Sequence, residues 1–389
     1  MIQVESIFSS SGGSSSDPLD PVQVYNTTRP SDWLPMPTPA ENEMYLLFHI
    51  PDGVSSLLAF TVTCTGNYTV ALGTVSNGTF VQSSSTSIAS GSKYETELFA
   101  DDYGNLTSDG HKQVMVKVSG TDILTWAPST HSKKTFPSNF AGWNIVEISC
   151  RLPSGTGVSC GTDTVYKTLH KLRYFTWDGK NNVTSMMDMF YGCSSLVAIL
   201  HLDTQNVTHM LYMFYGCSSL VAIPQLDTQN VMSMLYMFYG CSSLVAIPQL
   251  DTQNVENMMR MFYGCRSLAA IPQLNYQKIC NLSGTFVGCN SLVAIHGLFM
   301  QNVINIDSAF GTCYSLSSLT FDPSAENWAG LAISLKDCSL SHSAIVTFFN
   351  SLPTITSAEA ITLTGNPGVS ELTDAEKAIA TGKGWTLTL

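Results

Sequence analysis

Between Asn182 and about Cys338 the apolar positions return every 24 residues. One period runs from Asn206 to Gln229 and reads Asn-Val-Thr-His-Met-Leu-Tyr-Met-Phe-Tyr-Gly-Cys-Ser-Ser-Leu-Val-Ala-Ile-Pro-Gln-Leu-Asp-Thr-Gln. On a wheel of about 100° per residue, Val207, Met210, Leu211 and Phe214 share one face while His209 and Tyr212 point away, which predicts a helix with one core face. After a Gly216-Cys217 turn, Leu220, Ile223 and Leu226 predict a short extended segment. Pro224 ends its pairing, because proline has no amide to donate. A fixed period of this length is the mark of a stacked solenoid, in which each coil buries its apolar side against its neighbours.

Outside the repeats the pattern changes. From Glu43 to Arg151 short runs alternate in the manner of strands, among them Met44–Ile50, Leu57–Cys64, Gln113–Val118 and Trp143–Ser149, with turn signals such as Asn77-Gly78 between them. This predicts an all-β sandwich over 19–160, preceded by an arm and Ser/Gly linker over 1–18. The solenoid is expected over 161–340, with Thr164–Leu169 and Leu172–Trp177 covering its first coil. Residues 341–389 predict a small α/β cap with an amphipathic helix, a strand, a capping box at Thr373 and Glu376, a helix stop at Gly382 and a last strand. The fold class is thus multidomain, a β-sandwich followed by an α/β solenoid and a cap.

Stacked coils repeat at about 4.8 Å, so equivalent side chains form columns. Cys193, Cys217, Cys241, Cys265, Cys289 and Cys313 form one, expected to be buried free thiols, since in-register Cβ vectors run parallel and a spacing of 24 matches no zinc motif. Asn206, Asn230 and Asn254 predict an amide ladder or cap. The candidate binding columns lie where the clean coils differ from one another or present aromatics. The first is Asp188, Tyr212, Tyr236 and Arg260; the second is Ser185, His209, Ser233 and Asn257; the third is Tyr191, Tyr215, Tyr239 and Tyr263. Exposed aromatic and Arg rows suit protein or glycan recognition.

Charged residues make up 12% of the chain and the formal charge is −12, which leaves no basic patch for nucleic acid or anionic membrane. The first residues lack a basic and an apolar segment and do not read as a secretion signal, and no apolar run is long enough to span a bilayer. Catalytic fingerprints are absent, the acidic loop Asp101-Asp102 with Asp109-Gly110 misses the calcium-loop spacing, and no histidine has a cysteine or carboxylate at ligand spacing. The expectation is a protein without catalytic, metal or cofactor chemistry.

The repeat sentence Asn-Val-x-x-Met-x-x-Met-Phe followed by Gly-Cys-x-x-Leu resembles the BspA-type leucine-rich repeats of bacterial surface proteins over about 40% of the chain. Ile223-Pro-Gln-Leu226 stands where that family has a Leu-x-Leu strand core, so a narrower β-face is expected. The resemblance implies an adhesin-like function, and similar repeats occur in phage structural proteins. The reading is a non-catalytic virion protein, of a tail fibre or the capsid surface, that docks other virion proteins through its N-terminal region, forms a homo-oligomer and binds a host protein or glycan. A bacterial cell-surface adhesin is the alternative.

Overall fold

In the computed structural model the described residues are 28–389, except 52–54, 105, 129–144, 153–156, 159–168, 323, 325–327 and 329. The expected arm and linker over 1–18, and Thr164-Val-Tyr-Lys-Thr in the expected cover of the first coil, lie outside them. The chain separates into two compact units, one of residues 15–206 with 216–226 and the other of 207–215 with 227–389.

In the first unit the alternating runs become β1 (Glu43–Pro51), β2 (Ser55–Ser76), β3 (Thr79–Ala89), β4 (Lys93–Phe99), β5 (His111–Pro128), β6 (Ile145–Arg151) and β7 (Gly157–Val158). Two strands from the repeat side, β8 (Tyr174–Trp177) and β9 (Ala198–His201), join the same sheet, in the order β3-β2-β5-β1-β6-β8-β9. Where two facing sheets were expected, hydrogen bonding links the described strands into one nine-stranded sheet. The antiparallel part passes to the parallel part at β6, which pairs with β1 on one side and with β8 on the other. Met44 to Ile50 of β1 are buried on both faces. Trp33 and Leu34 cover Tyr45, Leu47, Met115, Val146 and Tyr174, held there by Arg29, which donates to the Glu147 carboxylate (2.9 Å) and to the Leu34 carbonyl (2.5 Å).

The second unit holds β10 (Ala294–Leu298), β11 (Ser318–Phe321), β12 (Ile333–Ser334), α1 (His342–Ser351), β13 (Ala360–Thr362), α2 (Asp374–Thr381) and β14 (Thr386–Thr388). The capping box at Thr373 and Glu376 starts α2 and Gly382 ends it. Parallel pairing joins β12, β13 and β14.

The repeats form a mostly β solenoid of about eight turns with few helices. The helix expected in each coil is not there. Its place is taken by turns and by bonds to the next coil: the amides of Tyr212, Phe214, Tyr236 and Phe238 reach the carbonyls of Leu235, Met237, Met259 and Met261 at 2.9–3.1 Å. The cause lies in one residue per coil. Tyr212, Tyr236 and Arg260 hold φ of 55°, 55° and 52°, and Asp188 and Ser308 share this left-handed conformation at the equivalent positions. A helix cannot pass through it. The turn also changes which side chains go inward, since Met213 is fully buried with Val207, Met210 and Phe214 whereas Leu211, expected in the core, is only half-buried.

On the other side of the coil the effect of proline is visible by comparison. The coils with Leu200, His296 and Thr320 at the position equivalent to Pro224, Pro248 and Pro272 form β9, β10 and β11, and the three proline coils form no strand. Two of the proline coils keep a bond three residues before the ring, Val221 N–H to Val197 O (3.0 Å) and Ala269 N–H to Val245 O (3.0 Å). Leu220, Ile223 and Leu226 are buried, as their spacing predicts.

A second left-handed position follows at Gly192, Gly216, Gly240, Gly264 and Gly288, with φ of 71–74°, and at its next equivalent stands Thr312 with φ 56°. A Cβ at Gly264 would lie 3.7 Å from Gly240 Cα, an ordinary contact, so conformation rather than space decides the residue there. A β-branched residue in this region costs about 1–2 kcal/mol. Thr312→Gly is therefore expected to stabilise the fold by about 1 kcal/mol and Gly264→Ala to destabilise it by a similar amount, read as opposite shifts of the urea midpoint at constant slope.

Candidate functional site

The third column is assembled by the turn. Tyr215, Tyr239 and Tyr263 leave the chain just before the left-handed glycines and stack face to face, with centroids 4.6 Å apart and planes within 4° and 8° of parallel. Beside them Tyr212 and Tyr236 stack at 5.0 Å, and Arg260 continues the row, its guanidinium 5.7 Å from the Tyr236 ring and 5.9 Å from the Tyr263 ring, with Nη1 donating to the Tyr236 hydroxyl (3.1 Å). The fold thus brings two of the three candidate columns together as one surface. It differs from an open row, because the tyrosines are half-buried and an inner ring such as Tyr239 has a neighbour on each face. What such a ring offers is its edge and hydroxyl. Stacking among aromatics contributes about 0.5–1.5 kcal/mol per pair beyond burial, so the columns serve the solenoid as well as any ligand. In the first unit, Asp188 and Tyr191 occupy the equivalent positions.

The second column has another task. His209, Ser233, Asn257, Asn281 and Asn305 form successive parallel bridges between coils. Asn257, Asn281 and Asn305 each accept, through Oδ1, the amide two residues ahead at 2.9 Å, which closes the local turn. A similar motif makes the Asp-Thr-Gln corner, where Asp227 and Asp251 accept the amides of Gln229 and Gln253, and the fully buried Thr252 bonds Asn275 through both its hydroxyl roles, at 2.8 and 2.7 Å. This buried threonine was not singled out in the sequence, although its recurrence beside each Asp was the signal. The amide column bridges coils, with Asn254 Nδ2 donating to the Gln229 carbonyl (2.7 Å) and its Oδ1 accepting from Lys278 Nζ (2.7 Å).

The six repeat cysteines are free and buried. Each thiol from Cys217 to Cys313 donates to the phenylalanine carbonyl 27 residues back, at 3.0–3.1 Å. Under them run the stacked rings of Phe214, Phe238, Phe262, Phe286 and Phe310, with centroids 5.3–6.1 Å apart. Burial pushes the Cys313 thiol up to about 12 and those of Cys265 and Cys289 well above the ordinary thiol range. The column is structural material and not a nucleophile array.

Elsewhere the fold makes a cluster in which a distant residue joins two sequence neighbours. His49 of β1, Asp109 of the turn before β5 and His111 at the start of β5 bring one donor atom each within 4.8 Å of one another. His49 is buried beside Trp33, and burial together with the neighbouring His111 holds its pKa down to about 4. No carboxylate was expected at ligand spacing from a histidine, yet Asp109 stands two residues before His111 and a local turn joins them, while strand pairing brings in His49. In the second unit an open depression of about 430 Å³ is lined by Gln273, Asn275, Tyr276, Gln277 and Asp322 among others. Asp322, the carboxylate among its described lining residues, accepts from the Ser324 amide (2.9 Å) and hydroxyl (2.6 Å). No described helix is long and apolar enough to cross a membrane.

Known proteins resemble the chain in the repeats. Residues 166–270 and 217–328 match the family described as "Mycoplasma protein of unknown function, DUF285", which spans less than half of the 389 residues. The match covers the stretch whose sequence resembles BspA-type leucine-rich repeats. Among solved structures, the T. pallidum leucine-rich-repeat protein TpLRR is similar, with 20% identity over 66% of this chain and 98% of its own and a TM-score of 0.33. No curated protein matches the chain.

The thiol chemistry has a direct check. With 5,5′-dithiobis(2-nitrobenzoate) at pH 8, the half-exposed Cys280 is expected to react in the folded protein, while Cys241, Cys265, Cys289 and Cys313 wait for unfolding. Mass-mapped labelling with and without denaturant reads the difference.

Proposed function

We propose that the chain is a non-catalytic binding protein that displays its repeats at a biological surface. The observation that carries this reading is the tyrosine–arginine surface of the second unit, where Tyr212, Tyr215, Tyr236, Tyr239, Tyr263 and Arg260 form one packed, partly exposed patch on a regular scaffold. Tyr and Arg are the side chains that dominate recognition hot spots, and a scaffold that fixes their rotamers lowers the entropy lost on binding. Because ring faces are used within the stack, the patch suits a ligand that meets ring edges, phenol hydroxyls and a guanidinium: a polar protein surface or a glycan bound by hydrogen bonds.

Among its described lining residues, the depression beside Tyr276 has one carboxylate, already engaged by Ser324, whereas glycoside hydrolysis needs two. A phage virion appendage and a bacterial cell-surface adhesin are two carriers for one binding surface, and the repeats favour neither. The same holds for the finer architecture that each would use, the N-terminal β region docking to the carrier, a terminal cap and self-association.

Binding is tested with labelled full-length protein on a glycan array and on a panel of bacterial cells. The expected result is selective binding that falls at least tenfold in the Tyr215→Ser/Tyr239→Ser/Tyr263→Ser variant, with folding followed by circular dichroism. Binding that is insensitive to these substitutions, or turnover of an arrayed glycan, sinks the proposal. Immunogold imaging of cells and particles distinguishes the two carriers.

A further inference from the structure

We propose that Asp109, His111 and His49 form a binding site for a divalent cation of the zinc class, which would fasten the turn before β5 to β1. The placement follows from strand pairing. In the antiparallel β1–β5 ladder His49 stands opposite Gln113, and His111, two residues earlier on β5, shares its face. The turn through Asp109 and the left-handed Gly110 folds the carboxylate back toward the imidazole of His111.

Tetrahedral zinc with bonds of about 2.0–2.2 Å to nitrogen and oxygen sets its donor atoms about 3.3 Å apart. Asp109 Oδ1 and His111 Nδ1 already stand 3.2 Å apart, yet they are not aligned as a hydrogen bond, and His111 Nδ1 has no hydrogen-bond partner among the described residues. A cation between them would satisfy both. The third donor, on His49, lies within 4.8 Å of the other two, so closure asks for movements of no more than about 1.5 Å. Two imidazoles and a carboxylate are ligands of borderline character, suited to zinc, cobalt or nickel rather than to calcium or magnesium. Thr107 Oγ1 bonds Asp109 and orients it, in the way outer partners fix metal-bound carboxylates. Asp32, which accepts the Ser108 amide at 2.5 Å, adds a second negative charge beside the turn, and the nearby Arg29 is neutralised by Glu147.

One group opposes the cation. The Leu34 amide bonds Gln113 Oε1 (2.7 Å), which turns the Gln113 Nε2 amide toward His49 Nε2 (3.0 Å). That contact places the His49 proton on Nδ1. A cation at Nε2 displaces the amide, and a cation at Nδ1 moves the proton to Nε2, where it faces a donor. Either way Gln113 competes, and removing its amide tightens binding if His49 is a ligand.

The test uses the untagged full chain, stripped with EDTA and dialysed, titrated with Co²⁺ at pH 7.5 and read by visible absorption, with Zn²⁺ as competitor. Saturable 1:1 binding is expected, displaced by Zn²⁺, weakened at least tenfold in Asp109→Asn and in His111→Gln, and tightened severalfold in Gln113→Leu. Asp109 lies on an exposed turn, so its variant remains folded, as circular dichroism would verify. Absence of saturable binding, or equal binding in Asp109→Asn or His111→Gln, overturns the site. A folded Gln113→Leu protein that binds no more tightly overturns the three-ligand assignment.

Discussion

The fold of the repeats rests on one constraint: like residues must sit on like residues from coil to coil. Beside the bonds that close each local turn, a coil is held by interactions with its neighbours. Phenylalanine stacks on phenylalanine 24 residues away, a thiol reaches the carbonyl 27 residues back, and Asn254 bonds the carbonyl of Gln229 in the preceding coil. Such an arrangement buries apolar surface without a central core, and it makes each coil's stability depend on its neighbours. It also explains the near-identity of the repeats, since a change at one inward position opens a gap against two coils at once.

The same constraint shapes the candidate surface. Half-buried tyrosines that stack within the column are preorganised, and their geometry is inherited from the solenoid. Support and recognition are therefore drawn from the same rings. Arg260 illustrates the overlap: it holds a left-handed backbone position in the turn, packs its guanidinium near two tyrosine rings and bonds the Tyr236 hydroxyl. Within the first unit, β6 presents an antiparallel edge to β1 and a parallel edge to β8, so one sheet runs from the β region to the coils of that unit.

The sequence by itself determined the period, the inward columns from Val207, Met210 and Phe214 to Leu220, Ile223 and Leu226, the loss of pairing at proline, and the helix start at Thr373, because each is set by local chemistry repeated in register or by a cap a few residues long. The tertiary structure decided the rest. Only stacking shows that amides of one coil bond carbonyls of the next where a helix was expected, because an isolated period with apolar spacing of three and four satisfies either geometry, and the left-handed φ at Tyr212 leaves no mark in residue type. Only strand pairing brings His49 to the Asp109–His111 turn, since residues 60 positions apart meet through the register of β1 and β5, which no spacing along the chain encodes.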